Sequence, residues 1–161
     1  MAAKTNAIRL VQQSGIPCQE KEYAYDENDL GGLHAAQAMG MPPEQVFKTL
    51  VARGSKNGIH VFCIPVCCEL DLKKAAKAAG DKNMELVPVK ELLGLTGYIR
   101  GGCSPVGMKK KYPTTFDETC ILWDKIAVSA GARGHQMTLS PEALVTLVGA
   151  TLADITTDTI L

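Results

Sequence analysis

The chain has 161 residues, 46% hydrophobic and 21% charged, a balance that fits a soluble globular domain able to bury a sizeable core. Lys plus Arg and Asp plus Glu each number 17, so overall charge gives no affinity for a polyanion, and such contact would need local basic patches. No apolar run approaches the roughly 18 residues of a membrane span, and the opening "MAAKTNAIRLVQQSG" lacks the apolar block of an export signal. The expectation is one domain over 1–161, cytoplasmic, with no membrane partner.

In chain order, "KTNAIRLVQQSG" reads as a first helix, with Thr5 as N-cap and Gly15 as its stop. "PCQEKEYAY" has the mixed polarity of an edge strand, and "LHAAQAMG" is a short helix ended by Gly40. Pro42 and Pro43 open another turn. The runs "VFKTLVAR" and "IHVFCIPV", separated by "GSKNG", predict a hairpin. "ELDLKKAAKAAG" reads as a helix closed by Gly80, "MELVP" as a short strand and "VKELLGLTG" as a short helix. "YIRGGCSPVGMKKKYPTT" is irregular, "CILWDKIAVSAG" supplies further strand, and "SPEALVTLVGA" is a last helix with Ser140 as N-cap. Helices and strands mix without strict alternation and without a phosphate-binding glycine motif, so a mixed α/β fold is expected rather than a doubly wound one.

The six cysteines read as reduced thiols, since nothing points to an oxidising compartment. "HVFCIPVCCEL" brings His60, Cys63, Cys67 and Cys68 close in sequence, but no second ligand pair follows and strand alternation separates them. No metal and no cofactor are expected.

Three places carry chemistry. Lys48 interrupts an apolar strand, where a desolvated ammonium costs several kcal/mol unless compensated. It either reaches out to water or sits in a pocket for an anionic guest. "RGGCSPVG" can bring backbone N–H groups close to an oxyanion. "VSAGARG" breaks a strand into a small-residue loop, a common place for a ligand. Cys103 could serve as a nucleophile if exposed and ionised, although neither His34 nor His135 is spaced to act as its base.

Taken together, "PPEQVFKTL", "GYIRGGCSPVGMKKKYPT" and "VSAGARG" resemble the YbaK/EbsC family of freestanding aminoacyl-tRNA deacylases, relatives of the editing domain of prolyl-tRNA synthetases. The resemblance spans almost the whole chain. It implies a mixed, partly closed, barrel-like sheet surrounded by helices, and an enzyme that removes cysteine from proline tRNA. Lys48, Gly101 and Gly102 are the implied catalytic positions. Tyr23, Thr49, Cys103, Ser104, Pro105, Ser129, Gly131 and Arg133 are the implied substrate contacts. Where relatives often read Ser-Gly-Gly, this chain has Ser129-Ala130-Gly131, and residues 135 and 136 also vary, so the rim that tunes amino-acid choice is less fixed than the catalytic wall.

Under this reading Lys48 pairs with a phosphate or sugar of the tRNA end, and the substrate's own thiol attacks its ester, with backbone donors of 101–103 for the oxyanion. Lys109, Lys110 and Lys111, together with Lys73, Lys74 and Lys77, are the candidate tRNA contacts, and prolyl-tRNA synthetase is a possible partner. Two other readings stay open: a deacylase for alanine or another small amino acid using activated water, and a catalytically silent module that binds tRNA or a synthetase.

Overall fold

Thr5 starts the first helix as expected, its hydroxyl oxygen accepting the Ile8 N–H at 3.1 Å, and the helix α1 runs Asn6–Gln13. The computed structural model describes residues 4–160. There follow β1 (Cys18–Glu22), α2 (Gly32–Met39), β2 (Phe47–Gly54), β3 (Gly58–Pro65), β4 (Cys68–Leu70), α3 (Leu72–Ala79), β5 (Glu85–Leu86), α4 (Val89–Thr96), β6 (Thr114–Asp117), β7 (Ile126–Ala132), β8 (His135–Leu139), α5 (Pro141–Val148), β9 (Thr151–Ala153) and β10 (Thr156–Ile160). Short 3-10 turns cover Pro43–Gln45 and Glu118–Leu122.

The predicted hairpin forms in the expected register, with Lys48 opposite Ile64 and Gly54 opposite Gly58. Elsewhere the boundaries move. The helix expected from Glu69 begins three residues later, because Glu69 and Leu70 belong to β4, which pairs with β10, and Asp71 caps α3 by accepting the Lys73 and Lys74 N–H groups at 3.0 Å. The first half of "CILWDKIAVSAG" is not strand: Cys120–Leu122 end a 3-10 turn that Asp117 caps at the Thr119 N–H, and β7 begins only at Ile126. Tyr23 and Tyr25 lie beyond the end of β1. Five strands the sequence did not announce, β4, β6, β8, β9 and β10, complete the sheets.

One sheet has the order β5-β2-β3-β6-β9, a second β1-β8-β7, and β10 pairs with β4. In the five-stranded sheet β2 is antiparallel to β3 and β5, whereas β6 is parallel to β3 and β9, so the sheet is mixed. The first two sheets meet through one parallel bridge, Val46 to Ala127, and the barrel is not closed. β1 is an edge strand of its sheet, as its composition suggested. Alternation along β2 divides the core. Phe47 and Val51 join a cluster with Ile8, Val128 and Met137, while Ala52 joins Phe62, Ile64 and Ala75 on the other face.

Candidate active site

β2 has two neighbours on the side away from β3, and they do not meet. Val46 bridges to β7, and Ala52 and Arg53 pair with β5. Between these points the strand edge is open, and there a cavity of about 530 Å³ lies, lined by residues 46–51 along one side. Leu86, Val87, Val89 and Leu92 form an apolar wall, and Ser129 with Gln136, cross-strand partners on β7 and β8, face the same space. Tyr23, the start of α2, and Arg100, Gly101 and Cys103 complete the lining.

Lys48 therefore does not simply extend into water. It is half-buried, lines the cavity, and forms no salt bridge among the described residues. Burial pulls its pKa below the usual lysine value, partly opposed by Cys68, Glu69 and Cys67 near the turn after β3. An ammonium kept in such a place without a paired carboxylate is available to an anionic or strongly polar guest. Thr49 also lines the cavity, its hydroxyl 3.7 Å from the Cys63 sulfur.

The glycine-rich segment is an ordered wall. Tyr98 Oη donates to the Val106 carbonyl at 2.6 Å and the Tyr98 N–H donates to Thr96 Oγ1 at 3.0 Å, closing the loop on itself. Burial pushes the Tyr98 phenol up to about 12, so it stays a donor at neutral pH. Gly101 takes φ 87°, a conformation open to glycine and strained for other residues. Its neighbour packs backbone against backbone, for a Cβ on Gly102 would meet Ala132 C and Arg133 N at 3.1 Å. The Gly102 N–H already donates to the Ile99 carbonyl at 3.0 Å. Among the cavity-lining residues of this segment, Arg100, Gly101 and Cys103 have backbone N–H groups without a partner among the described residues.

The expected site residues thus separate. Lys48, Thr49, Tyr23, Gly101, Cys103 and Ser129 converge on the cavity. Gly102 stands behind its surface as a packing residue. Ser104 is fully buried and its hydroxyl oxygen accepts the Val106 N–H at 3.2 Å, and Pro105 is buried beside it; neither lines the cavity. Gly131, at φ 102°, leaves room for the Tyr98 ring and Thr5, and its N–H donates to Ser129 Oγ at 3.1 Å. Arg133 donates through Nε to the Arg100 carbonyl at 2.9 Å, fastening the β7–β8 turn to the loop. Lys109, Lys110 and Lys111 are exposed and lie outside the cavity. Cys103 is 9% exposed and burial pushes its thiol up to about 11, which removes it as a ready nucleophile.

Arg100 was not singled out as a contact from sequence, and position 136 entered only through the resemblance, as a variable rim position. Gln136 reaches the cavity only because β8 pairs with β7 in a register that places it opposite Ser129. The run "HQMTL" is uniformly buried, so it carries no polar alternation to mark that face.

Residues 33–147 match the family model described as "Aminoacyl-tRNA editing domain". The chain is 48% identical over 154 residues to an Enterococcus faecalis protein named "Putative Cys-tRNA(Pro)/Cys-tRNA(Cys) deacylase EbsC", covering 96% of this chain and 94% of that one. It is also similar to a solved structure described as "a putative trans-editing enzyme for prolyl tRNA synthetase", with a TM-score of 0.79, 27% identity, and coverage of 97% of this chain and 99% of the other. A second solved structure, of a hypothetical protein, shares the fold at a TM-score of 0.86 with 22% identity, over 95% and 100% of the two chains. With Lys48, Ser129 and the Gly101 loop gathered on one cavity inside the matched region, the chain belongs to the aminoacyl-tRNA editing domain family.

Proposed function

We propose that this protein removes cysteine from mischarged tRNA, proline tRNA first among its substrates, acting in trans as one editing unit over 1–161. The observation that carries the reading is the half-buried Lys48, free of salt bridges among the described residues, on a cavity also lined by Gly101 and Cys103, whose N–H groups have no partner among the described residues. Lys48 holds a phosphate or ribose oxygen of the tRNA 3′ end, where partial desolvation strengthens the pairing. The two N–H groups take the negative charge that develops on the ester carbonyl oxygen.

No side chain of the cavity is a ready nucleophile, which fits attack by the substrate's own thiol. Its sulfur bonds to the carbonyl carbon, the ester C–O bond breaks, and the thiol proton ends on the released ribose hydroxyl. The resulting thiolactone is opened by water to free cysteine. The enzyme supplies orientation, worth roughly 7–11 kcal/mol in well-aligned intramolecular reactions. Such a mechanism rejects alanine and proline chemically, where pocket shape distinguishes a methylene by only about 1–3 kcal/mol.

Lys109, Lys110 and Lys111 are the proposed contacts to the tRNA stem, a local patch on a chain without net charge, and prolyl-tRNA synthetase is a proposed helper in capturing tRNA. The test is deacylation of proline tRNA charged with cysteine, alanine or serine. Rapid loss of cysteine alone supports the proposal. Loss of alanine at a similar rate replaces the thiol with activated water, and binding without turnover of any of the three replaces the enzyme with a binding module.

A further inference from the structure

Gln136 carries a buried hydrogen-bond acceptor without a partner. The residue is 7% exposed, lines the cavity, and its Oε1 has no partner among the described residues. The Gln136 side chain favours the ionised Tyr23 phenol against the effect of burial, which is the action of the amide nitrogen and leaves the oxygen unpaired. A buried acceptor left unmet is destabilising, a cost that a ligand donor removes.

The surroundings specify the charge of that donor. No Asp or Glu lines the cavity, whereas Lys48 and Arg100 do. Lys21 stands directly opposite Gln136 on β1 and so shares its face of the sheet. The other titratable groups lining the cavity are Tyr23 and Cys103, neutral at physiological pH and kept so by burial. His135 and its partner Glu20, 2.9 Å apart, belong to the opposite face of β8. An ammonium beside Gln136 would meet cations and no counter-ion.

An aminoacyl ester has few donors to offer. Its ribose and phosphate oxygens fall to Lys48, its carbonyl accepts from the loop, and its thiol must face that carbonyl to react. We infer that Gln136 Oε1 accepts a hydrogen bond from the substrate's α-amino group and that the site takes this amine in its uncharged form. This rests on the deacylase reading and adds to it the recognition of a free, neutral α-amine. Model α-amino groups titrate at about 7.7–8.0, so binding should strengthen through neutrality as pH rises.

The experiment uses amide-linked analogues that cannot be cleaved by loss of an ester: 3′-deoxy-3′-(cysteinylamino)adenosine and its counterpart lacking the α-amine. Calorimetric titration between pH 6.5 and 8.5 should show the amine analogue binding roughly tenfold tighter at the upper end, with the des-amino analogue much flatter. Gln136→Leu should weaken the amine analogue about tenfold and flatten its pH slope, with an unchanged melting temperature showing that the fold is intact. Gln136→Glu should reverse the slope by providing an ammonium with a counter-ion. Equal affinity and equal pH dependence for the two analogues, or no change of slope in either variant, overturns the inference. Deacylation of cysteinyl-tRNA by the unaltered protein is measured beside it. If deacylation proceeds and the binding pattern fails, only the role of Gln136 falls; if neither deacylation nor binding occurs, the deacylase reading falls with it.

Discussion

Lys48 and Ser129 each stand two residues beyond the parallel bridge from Val46 to Ala127 that joins the two sheets. That bridge brings the beginning of β2 alongside β7, and beyond it the strands border a cavity that both residues line. The site is thus built at a seam between sheets, where one wall carries a cation and the other carries neutral hydrogen-bonding groups.

Lys48 is placed at a cost to the fold, because its charge is partly desolvated without a salt bridge. Lys48→Met keeps the length and removes the charge. It should lower kcat/KM for deacylation by about 10- to 100-fold, the worth of one charge-assisted hydrogen bond of roughly 1.5–3 kcal/mol. Thermal unfolding should show a melting temperature equal to or above that of the unaltered protein. A variant that loses activity together with stability would make Lys48 a structural residue instead.

The same lowered pKa fixes the sign of a pH effect. The proton leaves Lys48 more readily in the folded chain than in the unfolded one, so the charged form disfavours folding. This cost is fully present below the folded-state pKa and disappears as pH rises through the ordinary lysine range. The stability advantage of Lys48→Met should therefore shrink at alkaline pH. Deacylation should decline on the alkaline side below the usual lysine range, and Lys48→Arg, where it retains activity, should carry that limb to higher pH. Rate–pH profiles of the two proteins check both statements.

Cys103 offers a direct contrast. With its thiol pushed up to about 11 by burial, only about one part in ten thousand is thiolate at neutral pH. The role proposed for Cys103 lies in its backbone N–H, which Cys103→Ala retains. That substitution should change kcat by less than about fivefold in single-turnover deacylation. A loss as large as that in Lys48→Met would restore the side chain as a participant.

These expectations mark what could be read from the chain and what could not. Lys48 was legible because a charge inside "VFKTLVAR" breaks a local apolar pattern, and the β2–β3 hairpin and the caps at Thr5 and Ser140 were legible because their signals are local. β9 and β10 were not, since each is defined by a distant partner, β6 and β4, and exposes most of its residues. Position 136 was legible only through the resemblance, as a variable rim position, because the face of Gln136 is set by register with Ser129. The glycine-rich loop was legible as a segment and not as a surface. Its sequence gives no sign that the Gly102 N–H turns inward to Ile99, or that Ser104 and Pro105 lie behind the wall.

Gly102 tests that inward packing. A methyl group there would meet the backbone of Ala132 and Arg133 at 3.1–3.2 Å, atoms that cannot rotate away. Gly102→Ala should destabilise by about 1–3 kcal/mol in urea denaturation, and should lower kcat by displacing Gly101 and Cys103, although Gly102 itself does not line the cavity. Unchanged stability would mean that the β7–β8 turn gives way freely.

Tyr98 is the strut of the same wall. Its hydroxyl donates at 2.6 Å to the Val106 carbonyl, its ring edge lies against the space that Gly131 leaves open, and the residue is 8% exposed. Tyr98→Phe keeps the ring and its packing but leaves a buried carbonyl without its donor, at a cost of about 1–3 kcal/mol. The loss should be local. Amide hydrogens of residues 99–107 should exchange faster while those of β2 and β3 keep their protection. Deacylation should then lose kcat more than it gains KM, because Lys48 still captures the tRNA end while the Gly101 and Cys103 donors spend less time in place. Exchange that accelerates evenly across the chain would instead make Tyr98 a general core residue, with no particular hold on the loop.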